Sequence, residues 1–322
     1  MAEAKSINYW GQLGLLLGLV GTCMVAGGFL VQIIGALALN VPMDTFIKIM
    51  NEPAGYGKTM GWLNALGAVF IFLLPVFIWA KVLSKASVFR YLGFNRGISF
   101  KQIICLLLIG LGAFYLSGAL STFSQLIPLH NDWKIWATEL EEQYQKTVLA
   151  VAAMNNLSDL FQCIILLALV PAICEELLFR SGFQKIFIGL TRSRWVGILI
   201  TAAFFSAVHF SFYGFLSRMA LGAVLGFVYY YSKNIWLAII MHFFNNAFIV
   251  VMLYLSVQKG MSVSQAMDES APVWVAPIAF LVIYSLFIFY RKESAMIGYT
   301  EEVILIDKQT KDISMGYDNE HD

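Results

Sequence analysis

The sequence is short of charge. Aspartate, glutamate, lysine and arginine make up 13% of its 322 residues, about half the share usual in soluble proteins. With 59% hydrophobic residues, that scarcity excludes an ordinary soluble enzyme and a disordered chain. The formal net charge is +1, so no global field recruits polyanions and nucleic acid is excluded as a partner. Cysteine is scarce too. Cys23, Cys105, Cys163 and Cys174 lie in apolar runs without CxxC or other metal-ligand spacing, so buried free thiols are expected in place of a disulfide framework. HExxH, the usual zinc-peptidase pattern, is missing, as is the GxSxG elbow of serine hydrolases. Repeats of solenoid period and low-complexity stretches are absent as well.

What is there is apolar sequence in lengths that suit a bilayer. Runs at 6–43, 59–80, 102–129, 160–174 with its continuation, 195–217, 219–232, 234–258 and 270–290 give about eight spans. The fold class expected is an all-α polytopic membrane protein with a polar intramembrane cavity. The first run exceeds a signal h-region and is read as a retained span despite Ala36-Leu37-Ala38. Lys81, Lys85, Arg90, Arg96 and Lys101, then Lys185, Arg192 and Arg194, then Lys233, then Arg291 and Lys292 fall on one side. Asp44 and Glu52, Asp132, Glu139, Glu141 and Glu142, and Asp268 and Glu269 fall on the other. The positive-inside rule then puts both termini in the cytoplasm. Each tryptophan, Trp79 included, lies near a span end, as an interfacial belt requires. Trp133, Trp136 and Leu140 share a helical face, either lying on the membrane or packed as a soluble cap. Gly222 and Gly226 have the small-xxx-small spacing of close helix contact. Three regions follow: membrane helices and an external loop over 1–150, a helical core over 151–290, and a polar, acidic tail over 291–322. The tail is read as solvated, with a short strand at 303–306 as the alternative.

The informative residues are the polar ones inside the apolar runs. Glu175, Glu176 and Arg180 fall near the middle of a helix expected over 159–190, about 47 Å long, with Asp159 and Gln162 as a capping box. Glu176 and Arg180 stand one turn apart and can neutralise each other. Glu175 points about 100° away and has no partner in its own helix, although a carboxylate at that depth is costly unless paired. The next span brings Phe205 and His209, and a later one brings His242 and Asn246 on one face. Each alone reads as packing or as an interhelical hydrogen bond. Asn245 reads as structural, and Arg218 as a side chain snorkelling outward near Gly214. Together, a carboxylate and imidazoles in a wet cavity can activate water, while Asn246 and one imidazole can stabilise an oxyanion. Glu175, His209 and His242 also match a zinc ligand set with an open position. Either acid–base or metal-assisted hydrolysis is favoured over acyl-enzyme chemistry.

These residues resemble the signature of the CPBP family, the CAAX prenyl endopeptidase and Abi-type membrane proteins. Its pattern, EExxxR, FxxxH and HxxxN, reads here Glu175-Glu176-xxx-Arg180, Phe205-xxx-His209 and His242-xxx-Asn246. The resemblance covers about 158–250. It implies an eight-helix intramembrane endopeptidase whose site opens towards the cytoplasm. Glu175 would be the general base acting with His209 on a water, His242 and Asn246 would hold the oxyanion, and Glu176, Arg180 and Phe205 would support them. No cofactor is favoured, with zinc on Glu175, His209 and His242 as the alternative. The partner implied is a membrane-associated peptide or protein, either of CAAX type or matured in a bacterial plasma membrane. A non-enzymatic regulator that binds a partner protein through the same helices is the competing function. An ion-coupled transporter is a third reading.

Overall fold

The computed structural model describes residues 7–318 apart from 54, 85–86, 95–96, 153, 264 and 266–270, and the side chains of 147 and 299–318 are likewise left aside. Among the described residues the architecture is entirely helical. Helix α1 spans Tyr9–Leu39, α2 Met43–Asn51, α3 Gly57–Leu83, α4 Val88–Leu92, α5 Phe100–Gln125 and α6 Asn131–Val151. The second half contains α7 (Leu157–Thr191), α8 (Arg194–Ala207), α9 (Phe215–Ser232), α10 (Ile235–Gln258) and α11 (Val275–Asp318). Six of them, α1, α3, α5, α7, α10 and α11, are long and apolar enough to cross a membrane. With the shorter α8 and α9 the arrangement is compatible with eight spans. The chain is a multi-pass integral membrane protein.

The helix ends are written in local chemistry. Asn8, Ser99, Asn156, Ser193 and Asn234 each accept a backbone N–H at a helix start. Ser99 and Gln102 form a reciprocal capping box. The box expected at Asp159 and Gln162 does not form, because α7 begins earlier, on Asn156. Asp159 instead takes Lys58 Nζ at 2.6 Å and the Asn155 N–H at 3.0 Å, which ties α7 to α3.

Two prolines reshape long helices. Pro75 and Pro171 each follow a π-helical stretch, Val69–Leu73 and Ile164–Leu169. A proline ring inside a helix clashes with the carbonyl four residues back, and the wider turn makes room for it. A third such stretch, Leu177–Gln184, has no proline and is buried on every side.

Three sequence expectations change here. The span expected over 195–217 breaks after Ala207, where residues 208–214 form a turn with Phe210 at φ 50°. His209 therefore stands just past the end of α8 and not within a spanning helix. Apolarity carries on through the turn (Phe210, Phe212, Phe215), so hydropathy alone hides the break. Trp79 is fully buried, its N–H donating to Gln12 O at 3.1 Å, so it belongs to the core and not to an interfacial belt. At the C-terminus the backbone is helical through 303–306, so the strand does not form. Lys85, Arg96, Asp268, Glu269, Glu320, His321 and Asp322 lie outside the described residues.

Close packing brings the later helices around α7. A Cβ on Gly222 would meet Ala202 and Phe205 at 3.2 Å, and one on Gly226 would meet Ile198 at 2.7 Å, so the small-residue spacing seats α9 tightly on α8. Gln184 Nε2 donates to Gly226 O at 2.9 Å. Gly93, at φ 98°, lets the chain after α4 turn beneath α10, and its carbonyl accepts the Ile235 N–H at 3.0 Å. Trp79, Leu92, Phe179, Phe183, Phe205, Tyr229 and Ile235 form the apolar core behind the polar cluster. All four cysteines are free; Cys163 and Cys174 are buried, and Cys23 and Cys105 are partly exposed.

Candidate active site

Glu175, Glu176 and Arg180 enter from the middle of α7, His209 from the turn after α8, and His242 and Asn246 from α10. The structure brings Glu175, Glu176, Arg180, His209 and His242 together, while Asn246 stands one turn along α10 from His242 and bonds Leu167 and Asn245. Glu176 and Arg180 are completely buried, and Arg180 Nε donates to Glu176 Oε2 at 2.8 Å. The other Glu176 oxygen meets His242 Nδ1 at 2.9 Å. With an ionised carboxylate as acceptor, that nitrogen carries the hydrogen. Ionised acceptors make the stronger hydrogen bonds, so this chain fixes the His242 ring. Phe205 completes the support. Its ring lies 5.3 Å from the Arg180 guanidinium, 4.9 Å from the His209 ring and 5.9 Å from the His242 ring.

His209 is oriented separately. Its Nδ1 lies 2.7 Å from Phe205 O. A carbonyl can only accept, so Nδ1 carries the hydrogen and Nε2 of the neutral ring is left with a lone pair. That Nε2 is 3.9 Å from Glu175 Oε2, and His242 Nε2 is 3.9 Å from the same oxygen. Glu175 Oε2 is buried and has no protein hydrogen-bond partner. The side chains of Glu175 and His209 remain 14% and 23% exposed, so this face of the cluster, unlike the Glu176 face, is open. Two acceptors separated by 3.9 Å do not bond each other, but both can take a hydrogen from one small molecule between them.

Asn246 has a visible structural duty. Its Nδ2 donates to Leu167 O at 3.3 Å. Leu167 lies four residues before Pro171, so its carbonyl lacks the usual helical donor. Asn245 Nδ2 in turn donates to Asn246 Oδ1 at 3.3 Å. Among the described residues no three of histidine, cysteine, aspartate and glutamate form a group set to hold a metal ion.

Helix α6 packs against the turn over 208–214 that carries His209. Ser211 Oγ donates to Glu141 Oε2 at 2.7 Å, and Trp136 packs against Phe212, so α6 is held against the turn. Ser206 Oγ donates to Phe215 O at 2.6 Å. A cavity of about 450 Å³ lies beside His209, lined by Trp136, Leu140, Ser206, Phe210, Phe212 and Phe215 among others. Arg218, expected to snorkel away, instead stacks over Tyr144 of α6 at 4.4 Å. Its Nη1 is buried and has no protein partner. The signal available in sequence was a lone arginine inside an apolar run; what it faces depends on the break after α8.

Residues 157–248 match the family model described as type II CAAX prenyl endopeptidase Rce1-like. This segment is similar to an Rce1-like domain. The match is consistent with the CPBP resemblance and spans α7 to most of α10, the segment that carries every residue of the polar cluster. The Rce1-like family supports an intramembrane protease of CAAX type in general. No curated protein and no solved structure matches the chain.

Proposed function

We propose that the Rce1-like domain hydrolyses a peptide bond of a membrane-associated peptide or protein, with Glu175 as general base. The observation that carries this reading is Glu175 Oε2, unbonded to protein and 3.9 Å from Nε2 of both His209 and His242. A water held between Glu175 and His209 gives its proton to Glu175 as its oxygen bonds the scissile carbonyl carbon. The π pair of that carbonyl moves onto oxygen, and His242, acting as an imidazolium with Nδ1–H on Glu176 and Nε2–H free, stabilises the resulting charge together with Asn246. Collapse breaks the C–N bond, and Glu175 returns the proton to the departing nitrogen. Glu176, Arg180 and Phe205 act by holding His242 and His209 in place.

The chemistry we assign is metal-free. Stoichiometric zinc in the purified protein, whose removal by chelation abolishes turnover and whose return restores it, would overturn that assignment. We also assign the entrance to the α6 side, because His209 stands at the end of α8 remote from Arg192 and Arg194. With both termini in the cytoplasm, that entrance faces the other side of a bacterial plasma membrane, and an entrance open to the cytoplasm requires the reverse orientation. Membrane-impermeant thiol labelling of single cysteines at Ser211 and at Arg192 in whole cells tells the two apart.

The activity itself is tested in proteoliposomes with a pool of farnesylated CAAX peptides and unmodified apolar peptides. Wild type cleaves a member of the pool, whereas Glu175→Ala and His209→Ala do not. Equal cleavage by all three removes the reading. A Glu175→Ala protein that is folded and keeps the cellular phenotype favours the regulator instead.

A further inference from the structure

We propose that Arg218, outside all three sequence motifs, is a catalytic residue that donates Nη1–H to the oxygen of the scissile carbonyl as charge develops on it. This rests on the peptidase reading above and extends it to a residue that the reading does not use.

Glu175 Oε2, Arg218 Nη1 and both terminal nitrogens of Arg180 lack a protein hydrogen-bond partner, a costly condition for buried charged groups; Arg180 is already paired with Glu176 through Nε, which leaves Arg218 as the cation to account for. Glu175 and Arg218 are joined through one turn: Arg218 Nη1 lies against Gly214, in the turn that also carries His209, whose Nε2 is 3.9 Å from Glu175 Oε2. They do not pair with each other. A group between them has to offer a hydrogen to Glu175 and a lone pair to Arg218. A water attacking a peptide carbonyl does both: the water faces the carboxylate and the carbonyl oxygen faces the guanidinium.

The surroundings of Arg218 hold it for that duty. Its guanidinium lies over the Tyr144 ring at 4.4 Å, and α6, which carries Tyr144, is tied to the turn by the Ser211–Glu141 hydrogen bond. On the other side Nη1 lies against Gly214, where a Cβ would collide with it. Gly214 itself has ordinary helical angles, φ −81° and ψ −5°, so the backbone does not require glycine there; the space taken by Nη1 does. The other oxyanion donors are more restricted: Asn246 Nδ2 already donates to Leu167 O, and His242, with Nδ1 on Glu176, has only Nε2 left to offer. Arg218 Nη1 has no such engagement. In the step proposed, water oxygen bonds the carbonyl carbon, its proton passes to Glu175, and the carbonyl electron pair settles on the oxygen bound by Nη1–H. No oxidant or further reactant is needed.

The test compares wild type, Arg218→Gln, Arg218→Lys and Gly214→Ala on the same peptide pool in proteoliposomes, with kcat and KM measured separately. Losing a donor that acts only in the transition state lowers kcat by about 10²–10³-fold with little change in KM. Arg218→Lys keeps charge without the fork and falls in between. Gly214→Ala keeps the arginine but displaces Nη1, and kcat falls at least about tenfold. A kcat within threefold of wild type in Arg218→Gln, or a rise in KM alone, overturns the proposal. Where Arg218→Gln fails to fold, Gly214→Ala decides: its full kcat also overturns it. A wild type inert towards the whole pool removes the peptidase reading and this proposal together, whereas a wild type that cleaves while both variants match it removes this proposal alone.

Discussion

Helices α1 and α7 are equally apolar over their best membrane-spanning stretches, yet only 11% of that stretch is buried in α1 against 33% in α7. The two helices also differ in what they bury along their whole length. In α1 the buried residues are Leu16, Gly27, Gly35 and Ala36, all apolar or side-chain-free. In α7 they include Glu176, Arg180, Ser181 and Gln184, each at or near complete burial. Polar groups at that depth persist only with partners, and α7 finds them on α10 (His242), on α4 (Leu92 O, bonded by Ser181 at 2.6 Å) and on α9 (Gly226 O). Hydropathy reports that a helix crosses. The partners of its polar atoms report what it is for.

Three substitutions test the α7 side of this contrast. The largest effect is expected at Glu175, whose unbonded oxygen is the general base we propose. Glu175→Gln keeps the shape, and its turnover falls by at least about 10³-fold with an unchanged unfolding midpoint. Arg180→Met comes next and acts on stability. It leaves Glu176 buried with one partner fewer, which costs about 3–5 kcal/mol, read by denaturant titration in micelles. Near-normal stability would mean that the Glu176 charge is not held by Arg180. Asn246→Ala leaves Leu167 O without its donor and costs about 1–3 kcal/mol in the same titration, along with a drop in kcat. A loss of kcat without any loss of stability would separate the oxyanion duty from the carbonyl duty.

Much of this was legible in sequence because it depends on local spacing. Glu176 and Arg180 are one turn apart, so their pairing could be read directly, as could the isolation of Glu175. The close seating of α8 on α9 followed from Gly222 and Gly226. The parts that were not legible depend on contacts distant in the chain or on turns that hydropathy does not register. Asp159 is bonded 101 residues away to Lys58, which no local pattern reveals. His209 sits beyond a helix end because Phe210 adopts a left-handed backbone within an apolar run. Arg218 could be placed only once that turn was known, since the turn brings α9 back beneath α6.

The smallest effect is expected within α1 itself, where one residue type occupies two environments. Leu37 is 75% exposed and faces lipid. Lipid tails are as apolar as leucine and fill the space a shortened side chain leaves, so Leu37→Ala changes stability by no more than about 0.5 kcal/mol. Leu16 is fully buried, and a Cβ on Gly182 of α7 would lie 3.0 Å from its side chain. There the neighbours are fixed helices that relax only in part, so Leu16→Ala leaves a cavity and costs about 2–3 kcal/mol. Because the apolar transfer term is nearly absent in a membrane, the gap between the two measures packing against α7 alone. Equal losses at both positions would mean that Leu37 is covered by protein, and the contrast between a lipid-facing α1 and an enclosed α7 would fail at its simplest point.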